Sequence, residues 1–200
     1  MKNTIIILSL IRTRIIIGIT ITSALKRNGA PRPVPLLFYV VSRYTAPMEK
    51  TVKSSTGMET EAVHALRGFI QKHNKETGAL VIGLSGELGT GKTVFVKAAA
   101  RELGITEMVT SPTFVIEKIY KLSTDRYSFL VHIDAYRIGS CEEMAHVGWN
   151  ALQKDPKNII FVEWADRISA CMPKETVWVN ITHVTEFSRK LYYGNTSVKK

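Results

Sequence analysis

Residues 86–93 read Gly-Glu-Leu-Gly-Thr-Gly-Lys-Thr, and no other stretch narrows the possible folds of this chain as far. The segment fits G-x-x-x-x-G-K-[ST], a pattern that carries meaning only between a strand and a helix. Both flanks are present. Residues 79–84 form a nearly continuous apolar run after Gly78, as expected of a strand covered on both faces. Residues 94–103 have helical character and stop at Gly104. Glycines at 86, 89 and 91 permit backbone angles that turn successive amides inward at a helix N-terminus, making a nest for phosphate oxygens. The expected phosphate contacts are Glu87, Leu88, Gly89, Thr90, Gly91, Lys92, Thr93 and Val94, with Lys92 reaching β and γ phosphates and the Thr93 hydroxyl ligating magnesium.

The surrounding pattern alternates helix and strand. Thr56 and Glu59 have capping-box spacing, and apolar residues then recur at Ala62, Ala65, Leu66, Phe69 and Ile70, one face of a helix. Further apolar runs at 114–120, 129–133 and 158–162 read as strands, and 140–152 has helical composition. Segments 176–184 and 189–193 leave no room for a crossover helix, so they are expected to pair antiparallel.

Residues 1–47 differ in kind. Residues 1–48 hold seven Lys or Arg and no acid, so most of the formal charge of +10 lies there; the rest of the chain has twenty basic and seventeen acidic residues. That small surplus does not mark a nucleic-acid surface. Isoleucine-rich runs split by Arg12 and Arg14 fall short of a spanning helix. A secretory signal or an organelle transit peptide can be drawn over the region. The preferred expectation is that 1–47 is a disordered extension or no part of the native protein, with 48–200 as one domain. Cys141 and Cys171 lie near no partner at metal-ligand spacing and are expected as reduced structural thiols.

A phosphate loop of this kind needs an acid near the metal and a group that orients the attacking water or acceptor. Glu163 ends the run Ile159-Ile160-Phe161-Val162, where a parallel strand presents it beside the loop, and it is the first candidate for magnesium. Asp134 follows residues 129–133 in the same manner and is expected to position water, unless it merely pairs with Arg137. His132, within the strand, reads as a hydrogen-bonded structural imidazole. Hydroxyls of Ser111-Pro112-Thr113-Phe114 could sense a γ-phosphate as switch segments do, although a proline turn explains the same residues. Trp164 is either a contact for a partner or nucleotide, or partly buried packing.

In order and spacing, residues 86–93, Val109-Thr-Ser-Pro-Thr-Phe114, His132-Ile-Asp-Ala-Tyr-Arg137 and Val162-Glu-Trp-Ala-Asp166 resemble the TsaE family, also known as YjeE. The likeness runs from about Met48 to Tyr193. It implies a weak ATPase of tRNA threonylcarbamoyladenosine synthesis, cytoplasmic, acting with the TsaD and TsaB proteins and touching tRNA only indirectly. It further implies that Lys92 and Thr93 hold phosphate and magnesium, Thr113 belongs to a switch-like loop, Asp134 assists hydrolysis and Glu163 completes the metal site; Trp164 matches an aromatic of the family motif and is expected to meet the partner. Thr90 and Ala135 stand where the family more often has Ala and a bulkier apolar residue.

The resulting expectation is an α/β, P-loop NTPase-type three-layer sandwich with a mixed, mainly parallel sheet and an antiparallel C-terminal hairpin, using ATP and Mg2+. A small-molecule or nucleoside kinase shares the loop, but no Arg-rich lid segment is apparent. A non-hydrolysing nucleotide-binding scaffold is the third reading, against which Asp134 and Glu163 argue.

Overall fold

The computed structural model describes residues 48–194, so the expectations for 1–47 lie outside the described residues. Strands β1 (Met48–Val52), β2 (Leu80–Ser85), β3 (Glu117–Lys121), β4 (Phe129–Asp134), β5 (Asn158–Glu163), β6 (Val177–His183) and β7 (Arg189–Gly194) form one sheet in the order β1-β7-β6-β2-β5-β4-β3. The four central strands β6, β2, β5 and β4 run parallel, while β3, β7 and β1 pair antiparallel at the edges. Helices α1 (Ser55–Lys72) and α2 (Lys92–Glu102) pack on one face. Helices α3 (Cys141–His146) and α4 (Trp149–Leu152) and the 3₁₀ segment Ala165–Cys171 cover the other.

Strand alternation divides the core between those layers. Leu130, Ile159, Phe161, Ile82 and Leu84 meet Leu66, Phe95 and Ala99 on the first face, while Val131, Ile133, Ile160 and Val162 meet Met144, Trp149 and Ile168 on the second. Every residue of β2 and β5 is buried, which is why both read as unbroken apolar runs rather than as alternating ones. Full burial of each large aliphatic side chain contributes about 1.5 to 3 kcal/mol before the entropy of ordering is charged against it.

Local signals placed most elements, and the deviations have physical causes. The N-cap of α1 is Ser54, whose side chain accepts from the Gly57 amide at 2.9 Å. Thr56 therefore lies inside the helix, and the capping box from Thr56 to Glu59 does not form. The segment 140–152 is two short helices, broken where Gly148 takes φ +73°. The strand expected at 114–120 begins only at Glu117. The Pro112 carbonyl accepts from the amides of Val115 and Ile116, closing a turn that leaves Phe114 85% exposed. Strand β1, which lacks an apolar pattern, was not anticipated; it adds to β7 at the sheet edge.

The cysteines are a correction. Cys141 and Cys171 are joined by a disulfide, Cα to Cα 5.5 Å, not held as separate thiols. The fold brings the first residue of α3 against the end of the 3₁₀ segment, an adjacency that a spacing of 30 residues does not reveal.

Candidate functional site

The parallel strands β2, β4 and β5 all end at the same edge of the sheet, so the residues at their carboxyl ends converge. After β2 the chain enters the loop, where Gly86, Gly89 and Gly91 all have positive φ, and Gly91 is the N-cap of α2. Gly86 has a second constraint, since a Cβ there would lie 2.1 Å from the Ile181 carbonyl oxygen. Thr90 closes the turn by donating its hydroxyl to the Glu87 carbonyl at 2.9 Å. This substitution from the family pattern is absorbed inside the loop, with Thr90 buried. Ala135, the other departure, is also buried and packs in the second core layer.

Lys92 is 4% exposed and donates to the carbonyl oxygens of Gly86 and Glu87, each at 2.8 Å. Its ammonium also sits 3.6 Å from the centroid of the Trp164 ring. Trp164 packs in turn against Tyr136, with ring centroids 5.1 Å apart, and lies under Arg167.

Glu163, at the end of β5, is 3% exposed, and its two oxygens accept from the Thr93 hydroxyl at 2.9 and 3.0 Å. Strand register places Asp134 directly beside Glu163 on the same face. Asp134 Oδ2 accepts from Thr113 Oγ1 at 2.6 Å and from Ser111 Oγ at 3.1 Å, while Oδ1 accepts from the Tyr136 amide at 2.9 Å. Arg137 does not pair with Asp134; its guanidinium lies over the Phe114 ring at 5.1 Å.

These side chains line one open pocket of about 310 Å³ with Leu88, Gly89, Gly91, Lys92, Thr93, Val94, Ser111, Thr113, Asp134, Glu163 and Trp164 at its wall. Of the residues expected at the site, Glu87 and Thr90 do not line this pocket: Glu87 is exposed and Thr90 is buried in the loop. A larger cavity of about 460 Å³ opens at the opposite ends of β2 and β6, between α1 and Tyr193. It contains no residue of the loop. There burial, with Glu61 beside it, holds the Tyr193 hydroxyl well above its usual range, and burial lowers His73. The chemistry selects the smaller pocket.

The only two non-glycine residues with positive φ among the described residues flank this pocket. Ile116, at +68°, follows the Thr113 loop, and Trp164, at +59°, follows Glu163. A β-branched or bulky residue held there costs about 1 to 3 kcal/mol, which the surrounding structure offsets.

The atoms that Thr93 and Glu163 bring together are a hydroxyl and two carboxylate oxygens, a donor type that suits a hard divalent cation. No group of three or more His, Cys, Asp or Glu among the described residues is arranged to hold a metal alone. Magnesium usually takes one or two protein oxygens and leaves its other positions to phosphate and water, and Thr93 and Glu163 offer oxygens of that kind.

The family model for "Threonylcarbamoyl adenosine biosynthesis protein TsaE" matches residues 58–191, from within α1 to within β7. The chain belongs to the TsaE family. The TsaE protein of Treponema pallidum is 33% identical over 116 residues, covering 58% of this chain and 82% of the relative. That of Bacillus subtilis is 33% identical over 135 residues, covering 68% and 78%. The crystal structure of YdiB from Bacillus subtilis superposes with a TM-score of 0.54 at 26% identity, covering 74% of this chain and 84% of that one. This TsaE-family chain thus has the mixed-sheet P-loop architecture read from its sequence.

Among the contacts around the pocket that the sequence does not show are three between distant residues. Asn180 Nδ2 donates to Ser85 Oγ at 2.9 Å, bracing the end of β2, and His183 Nε2 lies 3.3 Å from the Leu88 carbonyl. Asn180 left one signal, a polar residue at a buried position between β-branched Val179 and Ile181. The third is the contact between His132 and Glu163. Among the described residues no helix is long and apolar enough to cross a membrane.

Proposed function

We propose that this TsaE-family protein binds ATP with Mg2+ in the loop pocket and hydrolyses it slowly, as a cytoplasmic component of tRNA threonylcarbamoyladenosine synthesis acting on the TsaD and TsaB proteins. The observation that carries the reading is the convergence of Lys92 and Thr93 from the loop with Glu163 and Asp134 from two strand ends on one pocket.

In this reading the N-terminal amides of α2 and the inward-turned loop amides hold phosphate oxygens, and Lys92 exchanges its two carbonyl contacts for the β and γ phosphates. Thr93 and Glu163 hold the metal, which when bound neutralises charge on the phosphate oxygens. Asp134 accepts a hydrogen bond from the attacking water, with Thr113 and Ser111 fixing its carboxylate. Exposed Leu88 and Phe114 beside the pocket, together with half-buried Trp164, offer contact area to a protein partner.

Phosphate release measured with and without TsaD and TsaB tests the proposal. Slow turnover that changes with the partners supports it. No release under any condition leaves a nucleotide-binding scaffold, and release only with an added small-molecule acceptor leaves a kinase. Lys92→Ala is expected to abolish tight ATP binding in a calorimetric titration, and unchanged affinity would refute the assignment of the pocket.

A further inference from the structure

His132 is 0% exposed on β4, on the sheet face that it shares with Phe161 and Glu163. Its Nε2 lies 2.8 Å from Glu163 Oε1, while its buried Nδ1 has no hydrogen-bond partner. Packing alone does not account for an imidazole there. The face is otherwise filled by Leu130, Ile159 and Phe161, and an apolar side chain would fill the space without leaving a buried nitrogen unpaired. The bond that the ring does make is aimed at the one carboxylate facing Thr93.

We propose that His132 is a positioning residue, whose Nε2–H holds the Glu163 carboxylate in the orientation that presents it to Thr93 and to a magnesium ion on the nucleotide. A carboxylate oxygen accepts, so a ring proton sits on Nε2 in this contact. With Oε1 tied to the ring, rotation of the carboxylate is blocked and both of its oxygens stay turned to the Thr93 hydroxyl. Groups that orient a metal ligand from behind typically change metal affinity by about 10- to 100-fold when lost. The inference rests on the Mg2+ and ATP reading given above.

Two substitutions separate positioning from packing. Gln at 132 can place an amide nitrogen near the position of Nε2, whereas the shorter Asn reaches only the position of Nδ1. Calorimetric titration of the full chain with ATP, in Mg2+ and in EDTA, is expected to show that His132→Asn loses about 10- to 100-fold of the tightening that Mg2+ gives. Its affinity in EDTA should match the wild type, and His132→Gln should keep most of the tightening. Equal losses in Mg2+ and EDTA, or no difference between the two variants, would overturn the proposal. Nitrogen NMR of the wild-type chain gives a check that needs no variant, since a His132 ring protonated on Nδ1 alone also overturns it. A wild-type chain that binds ATP no tighter with Mg2+ than in EDTA would instead remove the underlying metal reading, and the proposal with it.

Discussion

The Lys92 ammonium lies 3.6 Å from the centre of the Trp164 ring while donating to the carbonyls of Gly86 and Glu87. The lysine of the loop is thus enclosed on one side by its own backbone and on another by an aromatic face, a contact of about 0.5 to 2 kcal/mol. Phosphate binding has to draw Lys92 away from these partners, so the environment of Trp164 must change. Intrinsic fluorescence is expected to shift when ATP is added. Trp149 and Trp178 are buried in the second core layer and should be silent, so Trp164→Phe should remove the response. A response that persists in Trp164→Phe would show that the contact does not report on the pocket.

Asp134 accepts hydrogen bonds from Ser111, Thr113 and the Tyr136 amide, which together fix the orientation of its side chain. Asp134→Asn keeps the shape and removes the proton acceptor. Phosphate release should fall by about 10² to 10⁴, the usual span for a lost general base, with ATP affinity nearly unchanged. Single-turnover hydrolysis beside a binding titration makes the comparison, and equal loss of both would assign Asp134 to binding instead.

Gly86 and Gly89 both have positive φ but differ in their surroundings. At Gly86 a Cβ meets backbone at 2.1 Å, whereas at Gly89 nothing lies within 4 Å. Gly89→Ala should cost about 1 to 2 kcal/mol, the left-handed penalty alone. Gly86→Ala adds overpacking against β6 and should cost roughly 2 to 5 kcal/mol in all. Denaturant unfolding of the two variants gives the order, and a reversed order would contradict the placement of the loop against β6.

The disulfide between Cys141 and Cys171 ties the start of α3 to the end of the 3₁₀ segment that begins just after Trp164. Cross-linking a loop of this length is worth about 3 to 4 kcal/mol in the chain-entropy account. Reduction, or Cys141→Ser with Cys171→Ser, should therefore lower Tm by on the order of 10 °C. A thermal melt with and without reductant measures it. An unchanged Tm would mean that the crosslink adds nothing to stability.

Sequence alone determined what depends on neighbours along the chain. The loop from Gly86 to Thr93 was legible because its glycine spacing and its flanking strand and helix are local, and Glu163 and Asp134 because each ends an apolar run. Tertiary structure decided what depends on register and on the meeting of distant segments. Whether His132 faces Glu163 or the other layer follows from the pairing of β4 with β5, and a slip of one residue would reverse it. The joining of Cys141 to Cys171, the brace from Asn180 to Ser85 and the stacking of Trp164 on Lys92 likewise need chain segments brought together across 30, 95 and 72 residues. Phe114, apolar and read as part of a strand, was placed on the surface by a turn hydrogen-bonded to the Pro112 carbonyl. Composition encodes how much a residue gains from burial, but only the packed sheet settles which residues are buried.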